Sequence, residues 1–346
     1  MKVALDVMGG DHGPPVLVRG ALRARRELDP APDVVLYGDR SAIAAVLRAE
    51  GEAEDALEIV HTTETIDMHD SPAAAVKKRK DAPIVRAMCD VKAGKVQGIV
   101  SAGSTGAMVA AALLYLGRPP EVQRPAIATW FPGQGGGSII LDVGANSENK
   151  PEHLAQFAVM GRLFAQASLR RENPRVGLLN IGEESSKGSE LYVKAHELLS
   201  QAPVNFVGNI EGQEILAGRA DVIVCDGFTG NVVLKLAESM VGFTMNRLLE
   251  RIRSNVMASL AGRLGVGLMR KALLQGQREI REDLDYAEHG GAPLLGVDGT
   301  VIISHGKSNE LAIKSAIRTA VRFQELNTTA VTGELLRNMR GASLGA

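Results

Sequence analysis

Residues Val96 to Gly117 read "VQGIVSAGSTGAMVAAALLYLG", an uncharged stretch close in length to a membrane span. Its middle decides against one. The run "SAGSTG" divides it into a β-rich half, "VQGIVSA", and an alanine- and leucine-rich half, the pattern of a buried strand, a glycine turn and a buried helix. The same pattern recurs on either side. "MKVALDV", "DVVLYG", "LEIV", "AIATWF", "SIILDVG", "RVGLLNIG", "VNFVGN", "DVIVCDG" and "TVIISHG" are short, β-branched and mostly bounded by Gly, Asp, Asn or Pro. Between them lie helix-sized stretches with recognisable starts, such as Ser71-Pro72 and Pro151-Glu152. This alternation predicts an α/β fold with a mostly parallel sheet and helices on both faces. No repeat, low-complexity tract or Pro/Ser linker interrupts it, so residues 1–346 read as a single α/β domain with a subdivided sheet.

Composition narrows the function. The chain has 346 residues, 45% hydrophobic and 23% charged, enough for a sizeable core. Aromatic residues make up 3%, too few for base-stacking platforms, and 39 basic against 40 acidic residues remove a global electrostatic case for nucleic acid. Two scattered cysteines, Cys89 and Cys225, supply neither a disulfide framework nor a zinc site. The amino terminus reads as a strand interrupted by Asp6 rather than as a signal peptide, and a reducing cytoplasm is the expected compartment.

The glycines cluster at strand ends beside hydroxyls, amides and carboxylates: "DVMGGD", "SAGSTGA", "DVGAN", "NIGEE", "DGFTGN" and "SHGKSN". In an open parallel sheet such turns face one crevice, where ligands bind. Glycine lets an anion approach the backbone, and a following helix N-terminus points N–H donors at it. The candidate substrate-binding residues are Gly9, Gly10, Asp11, Ser101, Gly103, Ser104, Thr105, Gly106, Asn146, Thr229 and Gly230. The competing explanation for each glycine is a tight βα turn. Three other motifs fail. No G-x-G-x-x-G follows a strand, and "HGKSN" has Val301 where a P-loop needs glycine. "GASLG" at 341–345 has no helix to follow it. No His/Cys/Asp cluster has metal-ligand spacing, so neither metal nor cofactor is expected.

The ordered set "DVMGGDHGP", "SAGSTGA", "LDVGAN", "PEHLAQFAVMG", "LNIGEESSKG", "DVIVCDGFTGNVVLK", "YAEHGGAPLLGVDG" and "VIISHGKSN" resembles the phosphate acyltransferase (PlsX) family over Lys2 to about Phe323. Ser104 stands where an asparagine is expected, and "SEN" follows "DVGAN". The resemblance implies an enzyme that moves a long acyl chain from acyl-acyl-carrier-protein to inorganic phosphate, making acyl phosphate for a membrane glycerol-3-phosphate acyltransferase of phospholipid synthesis. It also implies a homodimer whose fold is related to isocitrate/isopropylmalate dehydrogenases and phosphotransacetylases.

The residues agree with that chemistry. Phosphate is already an anionic nucleophile, so a protein must orient it, offset charge repulsion and stabilise the oxyanion on the acyl carbonyl. Three candidates stand out as catalytic groups. Lys187 in "GEESSKGSE" is a cation for phosphate, or else a solvated surface lysine. Asn231 can donate to the oxyanion, cap the following helix, or do both. His305 can donate to phosphate or protonate the leaving thiolate, or be a structural histidine. Asp6 and Asp11 are expected to brace their glycine turn or orient a basic partner. Cys225 invites an acyl-cysteine step, but no adjacent base supports it.

Arg247 to Lys271, "RLLERIRSNVMASLAGRLGVGLMRK", carries six basic residues and one acidic residue, with Leu248, Ile252, Val256, Leu260, Leu264 and Leu268 every four positions. It reads as part of a helical projection over 235–285 with an apolar face and a basic rim of Arg247, Arg251, Arg253, Arg263, Arg270 and Lys271. Dimerisation, docking of an acidic carrier protein and peripheral contact with the inner face of the cell membrane are overlapping roles for it. The alternative functions are a phosphotransacetylase-like acyl-CoA:phosphate acyltransferase, a decarboxylating dehydrogenase and a non-catalytic scaffold.

Overall fold

The computed structural model describes residues 1–258, 290–325, 333 and 335–337. Its strands are β1 (Lys2–Asp6), β2 (Asp33–Gly38), β3 (Glu58–His61), β4 (Gly98–Ser101), β5 (Ala126–Phe131), β6 (Ser138–Leu141), β7 (Arg175–Leu179), β8 (Asn205–Ile210), β9 (Val222–Val224), β10 (Ala292–Leu295) and β11 (Thr300–Ile303). The helices are α1 (Gly13–Glu27), α2 (Arg40–Ala49), α3 (Pro72–Lys78), α4 (Pro83–Lys92), α5 (Thr105–Ala111), α6 (Pro151–Ser168), α7 (Glu190–Ser200), α8 (Gly212–Ala217), α9 (Gly227–Ala258) and α10 (Glu310–Glu325). A π-helical turn, Ala112–Leu116, extends α5. The stretch 96–117 is thus a strand, a turn and a helix, and no helix among the described residues is long and apolar enough to cross a membrane.

The strands form one sheet in the order β3-β2-β1-β4-β11-β10-β5-β6-β9-β7-β8. Pairing is parallel from β3 to β11 and again from β6 to β8, and antiparallel at β11-β10, β10-β5 and β5-β6. The three antiparallel steps reverse the strand direction between the two parallel wings. Strand-end turns therefore fall into two groups, one per wing, where a uniformly parallel sheet would have gathered them into one.

Alternation along each strand builds the layers. Val3 and Leu5 of β1 face α1, α2 and α10, through Leu17, Leu22, Ile43, Leu47, Ile313 and Ile317. Leu141 of β6 and Val222 and Val224 of β9 face α6 and α7, through Leu154, Phe157, Ala195 and Leu199. The intervening residues, Ala4, Ile140 and Ile223, point the other way into one apolar cluster. That cluster spans both wings beneath α4 and α5 and reaches Val233 and Leu234 of α9. Most strands are buried along nearly their whole length, because successive residues are covered by helices on opposite faces of the sheet.

Candidate active site

The first group of strand-end turns, at β1, β4 and β11, is largely satisfied by its own chain. The Asp6 carboxylate, 2% exposed, accepts from the Met8 and Gly9 amides (3.0 and 3.2 Å) and from the Ser101 hydroxyl (2.7 Å). Burial pushes its pKa up, against the pull of those donors. Gly103 N–H donates to the Ser101 hydroxyl at 3.0 Å, and Ser104 caps α5 by accepting from Ala107. A Cβ at Gly9 would stand 2.7 Å from the Gly103 nitrogen, and one at Gly106 would stand 2.7 Å from Pro72 Cγ. These glycines serve close approach of neighbouring segments. Gly10, at φ 81°, turns the chain so that Asp11 N–H reaches the Gly306 carbonyl at 2.7 Å. Thr105 and Asp11 are exposed, and Asp6, Met8, Gly9, Ile66, Pro83 and Gly103 line a small cleft that includes neither of them. His305 Nδ1 accepts from the Lys307 amide at 3.0 Å, which leaves the ring proton on Nε2, pointing that N–H away from the bonded edge.

The second group lies at β6, β9 and β7, which are adjacent in the sheet. At the end of β6, Asp142 Oδ1 accepts from the amides of Ile127, Gly144 and Ala145 (3.0, 3.1 and 2.9 Å). Its Oδ2 accepts from Asn146 N–H and Nδ2 (2.9 and 2.8 Å). Asn146 Nδ2 also donates to the Pro125 carbonyl at 2.7 Å, so this amide is spent on holding its own loop. The loop in turn presents Gly144, whose Cβ position lies 3.5 Å from the Asn231 side chain.

At the end of β9, Asp226 caps α9. Its Oδ1 accepts from the Phe228 and Thr229 amides (3.0 Å each), and its Oδ2 accepts from the Thr229 hydroxyl (2.6 Å) and the Tyr192 hydroxyl (2.5 Å). Burial would raise this carboxyl's pKa, but the four donors outweigh it and hold the group below its ordinary value of 3.8. The same bond, with burial as the larger cause, drives the Tyr192 hydroxyl well above its ordinary range and keeps it a neutral donor. The cap is thus Asp226, and the Asn231 side chain, half-buried one turn into the helix, has no hydrogen-bond partner among the described residues. Gly230 is sealed, since a side chain there would collide with the Asp142 carbonyl and come within 2.8 Å of Cys225 Sγ.

At the end of β7, Lys187 is exposed in the loop that leads into α7, and its ammonium makes no ion pair among the described residues. Its backbone is fixed: the N–H donates to the Glu184 carbonyl and the carbonyl accepts from Asn180 Nδ2, both at 3.0 Å. Of the candidates in this group, Lys187 and Asn231 keep open donors, whereas Asn146, Thr229 and Gly230 are committed to the scaffold. Sequence reasoning passed over Asp142, Tyr192 and Asn149. Asn149 Oδ1 accepts from Gly227 N–H at 3.2 Å, and its Nδ2 is buried without a partner. The first has a legible signal, an aspartate heading a glycine turn. Tyr192 has none.

Cys225 is fully buried, its thiol directed at the Leu141 and Asp142 carbonyls (3.7 and 3.5 Å). Burial, reinforced by Asp142 and Asp226, pushes it well above the ordinary thiol pKa, so it has no nucleophilic character. No group of three or more His, Cys, Asp or Glu suited to a metal occurs among the described residues.

Helix α9 carries Arg247, Arg251 and Arg253 of the basic stretch, while Arg263, Arg270 and Lys271 lie outside the described residues, as does 259–285 of the helical projection. Arg247 pairs with Glu250 at 3.4 Å and sits 5.7 Å over the Phe243 ring. The exposed apolar face begins earlier than the sequence reading placed it, at Phe228, and continues through Val232, Leu236, Met240 and Phe243 to Leu248.

The family model described as "Fatty acid synthesis protein" matches residues 1–331. The "Phosphate acyltransferase" of Heliobacterium modesticaldum is 49% identical over 335 residues, 96% of this chain and 97% of that protein. That of Desulfitobacterium hafniense is 48% identical over 321 residues, 92% of this chain and 93% of its own. Among solved structures, a phosphotransacetylase from Streptococcus pyogenes superposes with a TM-score of 0.61 at 19% identity, covering 97% of this chain and 94% of that one. At that identity the likeness is one of fold.

Proposed function

From the premise that this chain belongs to the phosphate acyltransferase family and is an acyltransferase, we propose that it transfers a long-chain acyl group from acyl-acyl-carrier-protein to inorganic phosphate. The observation that carries the site assignment is the pair of open donors, Lys187 and Asn231, at the ends of adjacent strands β7 and β9. The Asp142, Asn146, Asp226 and Thr229 side chains beside them are committed to holding the turns.

In this reading Lys187 binds the phosphate and offsets its charge as it nears the thioester. A phosphate oxygen attacks the carbonyl carbon, and the carbonyl electrons move onto oxygen, where the Asn231 amide donates to the oxyanion. Collapse re-forms the carbonyl and breaks the C–S bond. The proton that the phosphate gives up on becoming the mixed anhydride goes to the departing sulfur, leaving acyl phosphate and the free carrier thiol. The fully buried thiol of Cys225 supports direct transfer without an acyl-enzyme. His305 belongs to the other wing's turns, and its Nε2–H suits a binding role toward an anion better than proton transfer at this site.

The apolar face of α9 beside Arg247 supports contact with a second copy, with the acidic carrier or with the inner membrane surface, where acyl phosphate would pass to a glycerol-3-phosphate acyltransferase of phospholipid synthesis. The deciding experiment incubates the protein with palmitoyl-acyl-carrier-protein and labelled phosphate and traps acyl phosphate with hydroxylamine. Phosphate-dependent hydroxamate is expected from wild type and should fall by about two to three orders of magnitude in Asn231→Ala, with a comparable loss in Lys187→Ala. Product from both variants at the wild-type rate would overturn the site. Turnover with short acyl-CoA and none with the carrier substrate would replace the donor.

A further inference from the structure

We propose that Tyr192 is a positioning residue for acyl transfer, fixing the cation-bearing loop and the oxyanion-donor turn relative to each other. The inference rests on the roles assigned above to Lys187 and Asn231. Those two residues stand on different βα units, one after β7 and one after β9, with no hydrogen bond joining them. Something must set their spacing, because misplacing a catalytic group by about 1 Å can cost about 100-fold in rate.

The contacts run through Tyr192. On one side, Lys187 is followed by Gly188, at φ 93°, where a Cβ would lie 2.6 Å from Asn180 Oδ1 and 2.9 Å from Tyr192 Cβ. The Lys187 loop therefore packs directly on the first turn of α7, backbone against the base of the tyrosine. On the other side, the Tyr192 hydroxyl donates to Asp226 Oδ2 at 2.5 Å and accepts from Asp226 N–H at 3.4 Å. Asp226 in turn holds the Phe228 and Thr229 amides and the Thr229 hydroxyl, the turn from which Asn231 projects. Tyr192 thus meets the Lys187 loop at its base and the Asp226 turn at its hydroxyl. Its hydroxyl remains protonated throughout the working range, so the bond to the carboxylate persists.

A residue that merely stabilised the fold would lower the amount of active protein and leave turnover per folded molecule unchanged. A positioning residue acts through Asn231, so its effect should disappear when Asn231 is gone. The test measures kcat, KM for phosphate and the thermal midpoint for wild type, Tyr192→Phe, Asn231→Ala and the double variant, using palmitoyl-acyl-carrier-protein and hydroxylamine trapping. Tyr192→Phe is expected to lower kcat about tenfold with KM for phosphate within about twofold, and to add less than about twofold to the loss in the Asn231→Ala background. Full turnover in Tyr192→Phe, or equal losses in both backgrounds, would overturn the inference while leaving the acyl-transfer reading intact. If wild type itself makes no acyl phosphate, that reading falls and takes this one with it. Should Tyr192→Phe lack a folding transition, Asp226→Asn, which keeps the shape of the cap, is held to the same two outcomes.

Discussion

Replacing Asp142 with asparagine isolates what the β6 turn contributes. The carboxylate accepts three hydrogen bonds on Oδ1 and two on Oδ2, with no exposure to solvent. An asparagine can offer its oxygen to only one of these sets and must turn an NH2 group toward the donors of the other. The less costly orientation keeps the Ile127, Gly144 and Ala145 amides and abandons the two donors of Asn146. Two hydrogen bonds to a charged acceptor, at about 1.5–3 kcal/mol each, put the gross loss at about 3–6 kcal/mol. Removing the buried charge returns part of it, because burial already pushes the Asp142 carboxyl above its ordinary range. A net loss of about 2–4 kcal/mol is a large share of a typical folding free energy of about 5–15 kcal/mol. Urea unfolding followed by circular dichroism should show it as a lowered midpoint. Turnover per folded molecule should fall as well, since Gly144 on the loosened loop lies against Asn231. An Asp142→Asn protein that unfolds within about 1 kcal/mol of wild type would refute the claim that these five bonds hold the turn.

Cys225→Ala should keep acyl transfer within about twofold of wild type, because the thiol is buried and protonated, and iodoacetamide should label Cys225 only in denaturant; an acyl group recovered on Cys225 would overturn this. Asp226 gives a pH signature. Its folded pKa lies below the unfolded value, so its stabilisation is complete above about pH 4 and is lost as pH falls through the lower folded value. Tyr192→Phe removes one of the donors that depress it, so urea midpoints measured from pH 7 to pH 3 should fall less steeply in the variant, and superimposable profiles would contradict the assignment.

Most of the sheet was legible because its strands are short β-branched runs ending in glycine or aspartate. β10 escaped, being four residues long with Pro293 among them. The reversal between the wings was not legible, since it depends on pairings such as Leu294 with Ile127, residues far apart in the chain whose local sequences carry no record of direction. The site shows the same limit. Glycine turns can be found one by one, but whether a serine or asparagine is open depends on a distant partner, as Ser101 depends on Asp6 and Thr229 on a cap shared with Tyr192. The apolar face of α9 begins at Phe228, upstream of the basic stretch that drew attention, because periodicity alone does not say which face the core covers.

The two wings also show why a motif read alone could not separate scaffold from site. Leu-Asp-Val spans the C-terminal boundary of both β1 and β6, and in both the aspartate Oδ1 accepts from the amides two and three residues on: Met8 and Gly9 at Asp6, Gly144 and Ala145 at Asp142. The local physics is one device used twice, a carboxylate that organises a glycine turn at a strand end. What differs is the second oxygen and the neighbour that meets the turn. At Asp6, Oδ2 takes Ser101 from the adjacent strand, and Gly9 closes on Gly103, so the turn is stitched to its neighbour. At Asp142, Oδ2 takes Asn146 from its own loop, and the adjacent turn brings Asn231 alongside Gly144 with its amide still open. The first arrangement spends its donors on packing. The second leaves one for an oxyanion, and that difference arises from the residues of neighbouring strands, not from the shared Leu-Asp-Val.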